Sequence, residues 1–459
     1  MKQYSFNKGG ITFNDDFAPA RKMSVLSFLP GISIVVLRSF SGNPSYPIVQ
    51  PGAHVEEGML IARRQGSGSA NIHSPIPGDI IQSFSWKLTD NLSASAIAVR
   101  LCGKFERLGR KMEMRQWEDL SQFAIRQILD DNGVVEMEGE GKPICDTFTA
   151  YNTSENNFTL VLRCVFDDPW LVADYCVSKE RSLAVAVGCI LTARAAGASS
   201  LCIAISKDDE EIGTLLQNEI KNLGAEAEIA VLSGKYPQHS NKQIEKSLSD
   251  RLNTPQNSFL IVCPSTAAAV YDAVVFNKPV LDRYVAVGGQ AVNRPSVLNV
   301  RIGSRIGDIF KECGGFSKKP DHLVIGSPLL GRNVSSLDEP ILKNTSVVYA
   351  ALSPKKEKLL SKLRKKLGGD SVSSEHLDSS ARCIGCGECR RVCPSSLDPE
   401  DLYKRMRDGK HDDSLISIIV QCDGCGCCES VCPSHLNLCS AIVKPAFAER
   451  TPEAEQYVF

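Results

Sequence analysis

The sequence predicts a multidomain α+β chain that closes on a small helical domain organised around metal clusters. Three features carry that reading. Short β-like runs broken by Pro/Gly turns fill residues 1–110, apolar strands then alternate with helices over 115–280, and a four-cysteine pattern occurs twice near the C-terminus. At 459 residues the chain is too long for one ordinary core, and two to four domains is the expectation.

In the first region Ile32–Leu37 and Ala96–Val99 read as strands. Between them, Pro47–Ile61 with its Pro51–Gly52 turn and Ile72–Ile81 with Gly78 read as strand, turn and strand, as in a flattened barrel of the biotinyl/lipoyl type. The hairpin position where carrier domains hold a modified lysine has none, which argues against a carrier role. Arg63, Arg64 and His73 read as solvated turn residues, with a place facing a partner or cofactor as the alternative. From 115 to 280 the period changes. A helix-like stretch over Trp117–Leu129 leads into strands at 158–163, 201–206, 228–232 and 259–262, separated by helices over 182–196, 210–223 and 243–251. That alternation means a three-layer α/β domain. Ser182–Ala196 is too short for the roughly twenty apolar residues of a membrane span, and it contains Arg194, so it reads as a buried helix. Residues 281–325 read as a small β-grasp-like insert, 326–352 as a return segment, and 353–380, rich in lysine and then serine, as a basic linker.

Composition removes several classes of function. A net charge of −1 gives no basic excess for nucleic acid. The start, Met1–Tyr4, lacks a secretory signal, so the expectation is a cytoplasmic chain. Eighteen cysteines in such a chain point to metal rather than disulfides. Ten are scattered, among them Cys102, Cys164, Cys202 and Cys263, and read mostly as small buried hydrophobes.

The other eight form the pattern. Cys383-x2-Cys386-x2-Cys389-x3-Cys393-Pro394 is followed by Cys422-x2-Cys425-x2-Cys428-x3-Cys432-Pro433. A C-x2-C-x2-C loop wraps three thiolates onto one face of a [4Fe–4S] cubane, and in two-cluster domains the cysteine before proline serves the other cluster. The expected ligand sets are Cys383, Cys386, Cys389 and Cys432 for the first cluster, and Cys422, Cys425, Cys428 and Cys393 for the second. Structural zinc uses paired hooks without the third x2 cysteine. Cys427 and Cys439 are surplus to this count.

Over nearly its whole length the chain resembles the C subunit of the Rnf ion-translocating ferredoxin:NAD oxidoreductase complexes. The resemblance is carried by Gly9–Gly10, Pro51–Gly52, His73–Ser74 with Gly78, Lys235–Tyr236–Pro237, Val270–Val274, Val287–Gly289 with Ala291–Val292, Arg301–Gly303, Cys313–Phe316 and Gly326–Gly331. It implies a barrel-sandwich domain, a flavin-subunit-like α/β domain, a β-grasp insert and a ferredoxin-like two-cluster domain over 381–445. It implies FMN and NADH beside the two clusters, the other subunits of a membrane electron-transfer complex and ferredoxin or a similar carrier as partners, and a peripheral position on the inner face of the cell membrane. In an active member, flavin reduced by NADH would feed the clusters.

Two departures argue against FMN and NADH here. Where the family has a loop of the form Gly-x-Gly-Gly-Ala-x-Phe-Pro-Thr, this chain has Asp131–Pro143 with Glu136, Glu138 and Glu140, which are expected to oppose a phosphate by roughly 1 kcal/mol each. The family's Asn-Ala-x-Glu-Cys-Glu-Pro-Tyr is matched only by Cys164–Trp170, in which Asp168–Pro169–Trp170 keeps the acidic–proline–aromatic end, and Asp168 is the residue carried over to a cofactor-binding role. The expectation is therefore an electron-relay subunit whose nucleotide site has decayed.

Overall fold

The computed structural model describes residues 4–6, 8–22, 28–38, 43–89, 92–149, 151, 157–252, 258–352, 382–408 and 413–448. The basic linker and its serine-rich end lie outside them.

The first region forms two small sheets. Strands β1 (Ile32–Val36), β3 (His54–Val55), β6 (Gly78–Thr89) and β7 (Leu92–Leu101) make one in the order β1-β7-β6-β3, and β2 (Tyr46–Pro47), β4 (Leu60–Arg63) and β5 (Ile72–His73) make the other. Alternate residues of both, among them Val35, Val55, Ile61, Ile72, Ile97 and Val99, close over one core, as half-buried strands require. Arg64 and His73 depart from the solvated reading. Arg64 reaches Asp130 at 2.7 Å and Asp146 at 3.0 Å, and His73 is buried, so this turn is the seam between the barrel and the α/β domain. Among the scattered cysteines most are buried, but Cys102 is not and lies beside exposed His54.

The α/β domain begins with α1 (Gln122–Asp131), capped by Ser121 rather than starting at Trp117, and α2 (Ile144–Thr149). Its parallel sheet, in the order β10-β9-β8-β11, comprises β8 (Thr159–Cys164), β9 (Ser200–Ser206), β10 (Glu228–Leu232) and β11 (Phe259–Val262). The helices between them are α3 (Val172–Glu180), α4 (Ser182–Ala196), α5 (Glu210–Asn222) and α6 (Asn241–Leu252), with α7 (Pro264–Phe276) after β11. Helix α4 is apolar on nearly all sides because it is enclosed, with Val185, Leu191 and Ala195 at zero exposure. Truncating a side chain such as Leu191 there would cost about 2–5 kcal/mol. The strand order turns back between β8 and β11, and ligands of open α/β sheets bind at such a switch point, outside the carboxyl ends of the strands.

A five-stranded mixed sheet follows, in the order β13-β12-β16-β14-β15, from β12 (Asp282–Gly288), β13 (Ser296–Arg301), β14 (His322–Ile325), β15 (Arg332–Val334) and β16 (Val347–Ala351), with α8 (Ile306–Glu312) against it. The stretch read as a separate return segment, 326–352, is thus part of this unit: β16 pairs with both β12 and β14. Short helices α9 (Glu388–Val392), α10 (Pro399–Arg407), α11 (Asp413–Ile419), α12 (Cys427–Ser430) and α13 (Leu438–Ala448) complete the C-terminal domain.

The N-terminal arm ties these parts together. Ile11 and Tyr236 exchange backbone hydrogen bonds, and the Gly10 amide donates to the Val392 carbonyl of the cysteine domain at 2.8 Å. Gly9, at φ +86°, passes so close that a Cβ would lie 2.5 Å from the Cys393 carbonyl carbon, which accounts for the Gly9–Gly10 pair.

Candidate functional site

The two cysteine loops fold alike. Gly385 and Gly387 have φ of 68° and 73°, and Gly424 and Gly426 have 64° and 74°, left-handed values that let each loop curl back on itself. In each loop the first thiol accepts a backbone N–H two residues on: Gly385 N to Cys383 Sγ and Gly424 N to Cys422 Sγ, both 3.4 Å. Each loop feeds a short helix, α9 or α12, that carries its third cysteine.

Two cavities result, each about 370 Å³ including its open mouth. Cys383, Cys386, Cys389 and Cys432 line the first. Cys422, Cys425, Cys428 and Cys393 line the second, together with Cys427 and Cys439. The first cavity draws three thiols from its own loop and one from the cysteine before the other loop's proline; the second repeats that arrangement and adds Cys427 and Cys439. Four soft thiol donors around a small apolar space suit a [4Fe–4S] cluster. Burial pushes the Cys422 thiol up to about 12, so gathering thiolates here without iron is unfavourable. Cys427 is fully buried and packs with Tyr236 and Val392.

The cavities differ in cover. The first is at the surface, with Cys386 exposed and Ile384 68% exposed. The second lies against the α/β domain, where Tyr236 Oη donates to Cys425 O at 2.7 Å and the first turn of α6 meets the loop from Val420 to Asp423. Tyr236 also stacks near His239, whose Nδ1 lies 2.6 Å from Asp167 Oδ1. The sequence singled out Lys235–Tyr236–Pro237 without a role for it; the aromatic reaches the cysteine domain.

The second candidate site is the switch point of the parallel sheet. Arg163, near the end of β8, is buried and places Nη2 2.6 Å from Glu138 Oε1 and 3.1 Å from Asp174 Oδ2. Asp174 in turn accepts from the Ser265 amide at 3.2 Å and from the Ser265 hydroxyl, at the N-terminal turn of α7. A carboxylate thus faces that helix N-terminus, a place suited to an anion. Burial would raise the Glu138 carboxyl, but the Arg163 charge outweighs it and holds it below the usual range; burial and the Glu138 charge push Asp174 up.

The acidic loop differs from its expected character. The three glutamates do not share an open face: Glu136 accepts from Thr147 Oγ1 at 2.7 Å, Glu138 pairs with Arg163, and Glu140 lies 3.9 Å from Lys142. Backbone amides of the loop are also engaged, Met137 N with Thr266 Oγ1 and Glu136 N with Lys142 O. The charges of the loop are compensated by these partners, so it does not present a repelling surface. Asp168 caps the turn at Pro169–Leu171, accepting from Trp170 N at 2.9 Å; it is buried, and burial pushes its carboxyl up to about 6.

Family models match the chain in series: the RnfC barrel sandwich hybrid domain over residues 5–101, the Nuo51 FMN-binding domain over 129–277, the SLBB domain over 284–330 and the 4Fe–4S dicluster domain over 379–436. The C subunit of an ion-translocating oxidoreductase complex from Rhodobacter capsulatus is 26% identical over 83% of this chain and 71% of its own length. The C subunit of a proton-translocating ferredoxin:NAD(+) oxidoreductase complex from Clostridium ljungdahlii is 26% identical over 87% of this chain and 86% of its own. Its counterpart in a Na(+)-translocating complex from Acetobacterium woodii is 24% identical over 85% of each. Among solved structures, a chain of an NAD+-reducing [NiFe]-hydrogenase in the H2-reduced state superposes with a TM-score of 0.50 at 13% identity, over 73% of this chain and 62% of that one, a likeness of fold alone. No helix among the described residues is long and apolar enough to cross a membrane. The chain is thus similar over most of its length to the C subunits of these complexes, and it carries matches to an FMN-binding α/β domain and a 4Fe–4S dicluster domain.

Proposed function

We propose that this chain is the electron-relay component of a membrane-associated, Rnf-like oxidoreductase complex, and that it works without its own nucleotide or flavin. The observation that carries the relay is that the eight cysteines of the two runs line two cavities, four in the first and four, with Cys427 and Cys439 beside them, in the second. Cys383, Cys386, Cys389 and Cys432 would hold one cluster, and Cys422, Cys425, Cys428 and Cys393 the other; when bound, such clusters take up and release single electrons. The paired loop amides of Gly385 and Gly424 orient the thiols and lower the cost of their negative charge. The outer cavity, open at Cys386, suits exchange with a partner, in keeping with the complexes named for the relatives and with a peripheral position on the inner face of the cell membrane. A ferredoxin-type carrier is one such partner.

The loss of nucleotide is supported by the Glu138–Arg163–Asp174 cluster, which stands where an open sheet of this order would take a phosphate. Asp168, engaged as a turn cap, would no longer serve a ligand. A second reading, an NADH dehydrogenase passing electrons from flavin to the clusters, is favoured by the FMN-binding match over 129–277. Anaerobic purification followed by flavin and iron analysis separates the two. The relay reading expects eight irons and no flavin per chain, and NADH should leave the absorbance unchanged. Bound flavin bleached by NADH would establish the second reading.

A further inference from the structure

Resting on the assignment of a cluster to the second cavity, we propose that Lys242 is a positioning residue that keeps this buried cluster reducible by supplying its counter-charge from the α/β domain. Lys242 stands in the first turn of α6, a helix of 12 residues. Its ammonium donates to Val420 O at 3.0 Å and to Cys422 O at 2.9 Å, two carbonyls of the loop that carries three of the proposed ligands. Beside it, Gln243 Nε2 donates to Asp423 Oδ2 at 2.5 Å. The positive end of the helix and one full positive charge are therefore set against the rim of this cavity.

The two loops allow an internal comparison. They share their glycine conformations and their N–H to sulfur bonds, yet Cys383–Ile384–Gly385 in one becomes Cys422–Asp423–Gly424 in the other. The outer loop meets water, with Ile384 exposed, and the basic residues near it are exposed and paired: Arg390 with Asp398, Arg391 with Glu388, and Lys404 with Glu400, the acid that lines the outer cavity. Solvent can stabilise added negative charge there. The inner loop is covered by protein and carries an acid of its own, and both features oppose reduction of a cluster that becomes more negative when it gains an electron. Lys242 and the α6 N-terminus offset Asp423 and that loss of solvent. The helix packing and the docking of the two domains thereby become part of how the inner site is tuned.

The test is an anaerobic redox titration followed by electron paramagnetic resonance, with the inner wave identified as the one missing in Cys425→Ser protein. In Lys242→Met protein the inner wave should move to more negative potential, so that its reduced fraction at the wild-type midpoint falls several-fold while the outer wave stays in place. Lys242→Arg should preserve the inner wave. Asp423→Asn, which keeps the side-chain shape, should move it the opposite way and gives the same information if Lys242→Met proves unstable. An unmoved inner wave, a shift of both waves together, or a positive shift in Lys242→Met would overturn the proposal. A wild-type protein that holds four irons per chain instead of eight would overturn the two-cluster assignment beneath it, which keeps the two failures distinct.

Discussion

Arg163 and Glu138 face each other at 2.6 Å across the carboxyl edge of the parallel sheet, the guanidinium buried and the carboxylate side chain 25% exposed. Glu138 is contributed by the loop between α1 and α2, and Arg163 by the strand beside the switch point. Glu138→Ala should leave the guanidinium with Asp174 as its remaining ion-pair partner and cost about 2 kcal/mol of stability, the worth of one hydrogen bond between charged groups. Chemical denaturation with matched iron content measures it. The Glu138→Gly/Arg163→Asn double variant should open the crevice and gain measurable FMN binding by fluorescence quenching, where none is expected of the wild type.

Gly9 and Cys393 give a second prediction. Any side chain at Gly9 collides with the Cys393 backbone, and its φ of +86° is strained for other residues. Gly9→Val should displace Cys393 and roughly halve the iron per chain, with the loss falling on the inner cluster's resonance signal.

The surplus cysteines separate ligand from bystander. Cys386→Ala should lose the outer cluster and leave the inner one partly populated. Cys427→Ser should keep all its iron, because Cys427 packs against Tyr236 and Val392 and the ligand set is complete without it. Iron analysis of both variants decides between these roles.

His73 predicts a pH dependence of the barrel seam. Burial, then the Lys343 and Arg107 charges, push its imidazole down to about 3 from the ordinary 6.5. The unfolded chain therefore takes up a proton that the folded one refuses, and stability is lost as pH falls from 6.5 toward 3, by up to about 1.4 kcal/mol per pH unit. Between pH 7 and pH 5, His73→Gln should lose about 2 kcal/mol less than wild type in denaturation midpoints compared at the two values.

Much of this was legible in the sequence where one residue type has one use. Cysteine spacing grouped eight thiols that line the two cavities, and hydrophobic periodicity found the α/β strands and helix α4. What escaped depends on contacts distant in sequence. Glu138 in a loop looks like a free acid until Arg163, 25 residues on, is folded beside it. Arg64 looks solvated until Asp130 and Asp146 pair with it, and His73 until the fold buries it at the same seam. Val347–Ala351 reads as an isolated extended run until β12 and β14 flank it. Lys242 gave no local signal, since its partners are carbonyls of Val420 and Cys422 in another domain.

A chain that carries electrons on two clusters and on nothing else has a fixed electron capacity. A stoichiometric reductive titration of anaerobic, iron-replete protein with dithionite reads that capacity, following absorbance and resonance signals together. Two electrons per chain are expected, both appearing on [4Fe–4S] signals. Uptake of four, with the additional pair bleaching a flavin band, would contradict the closed crevice at Glu138 and Arg163, and uptake of fewer than two would contradict the paired cavities.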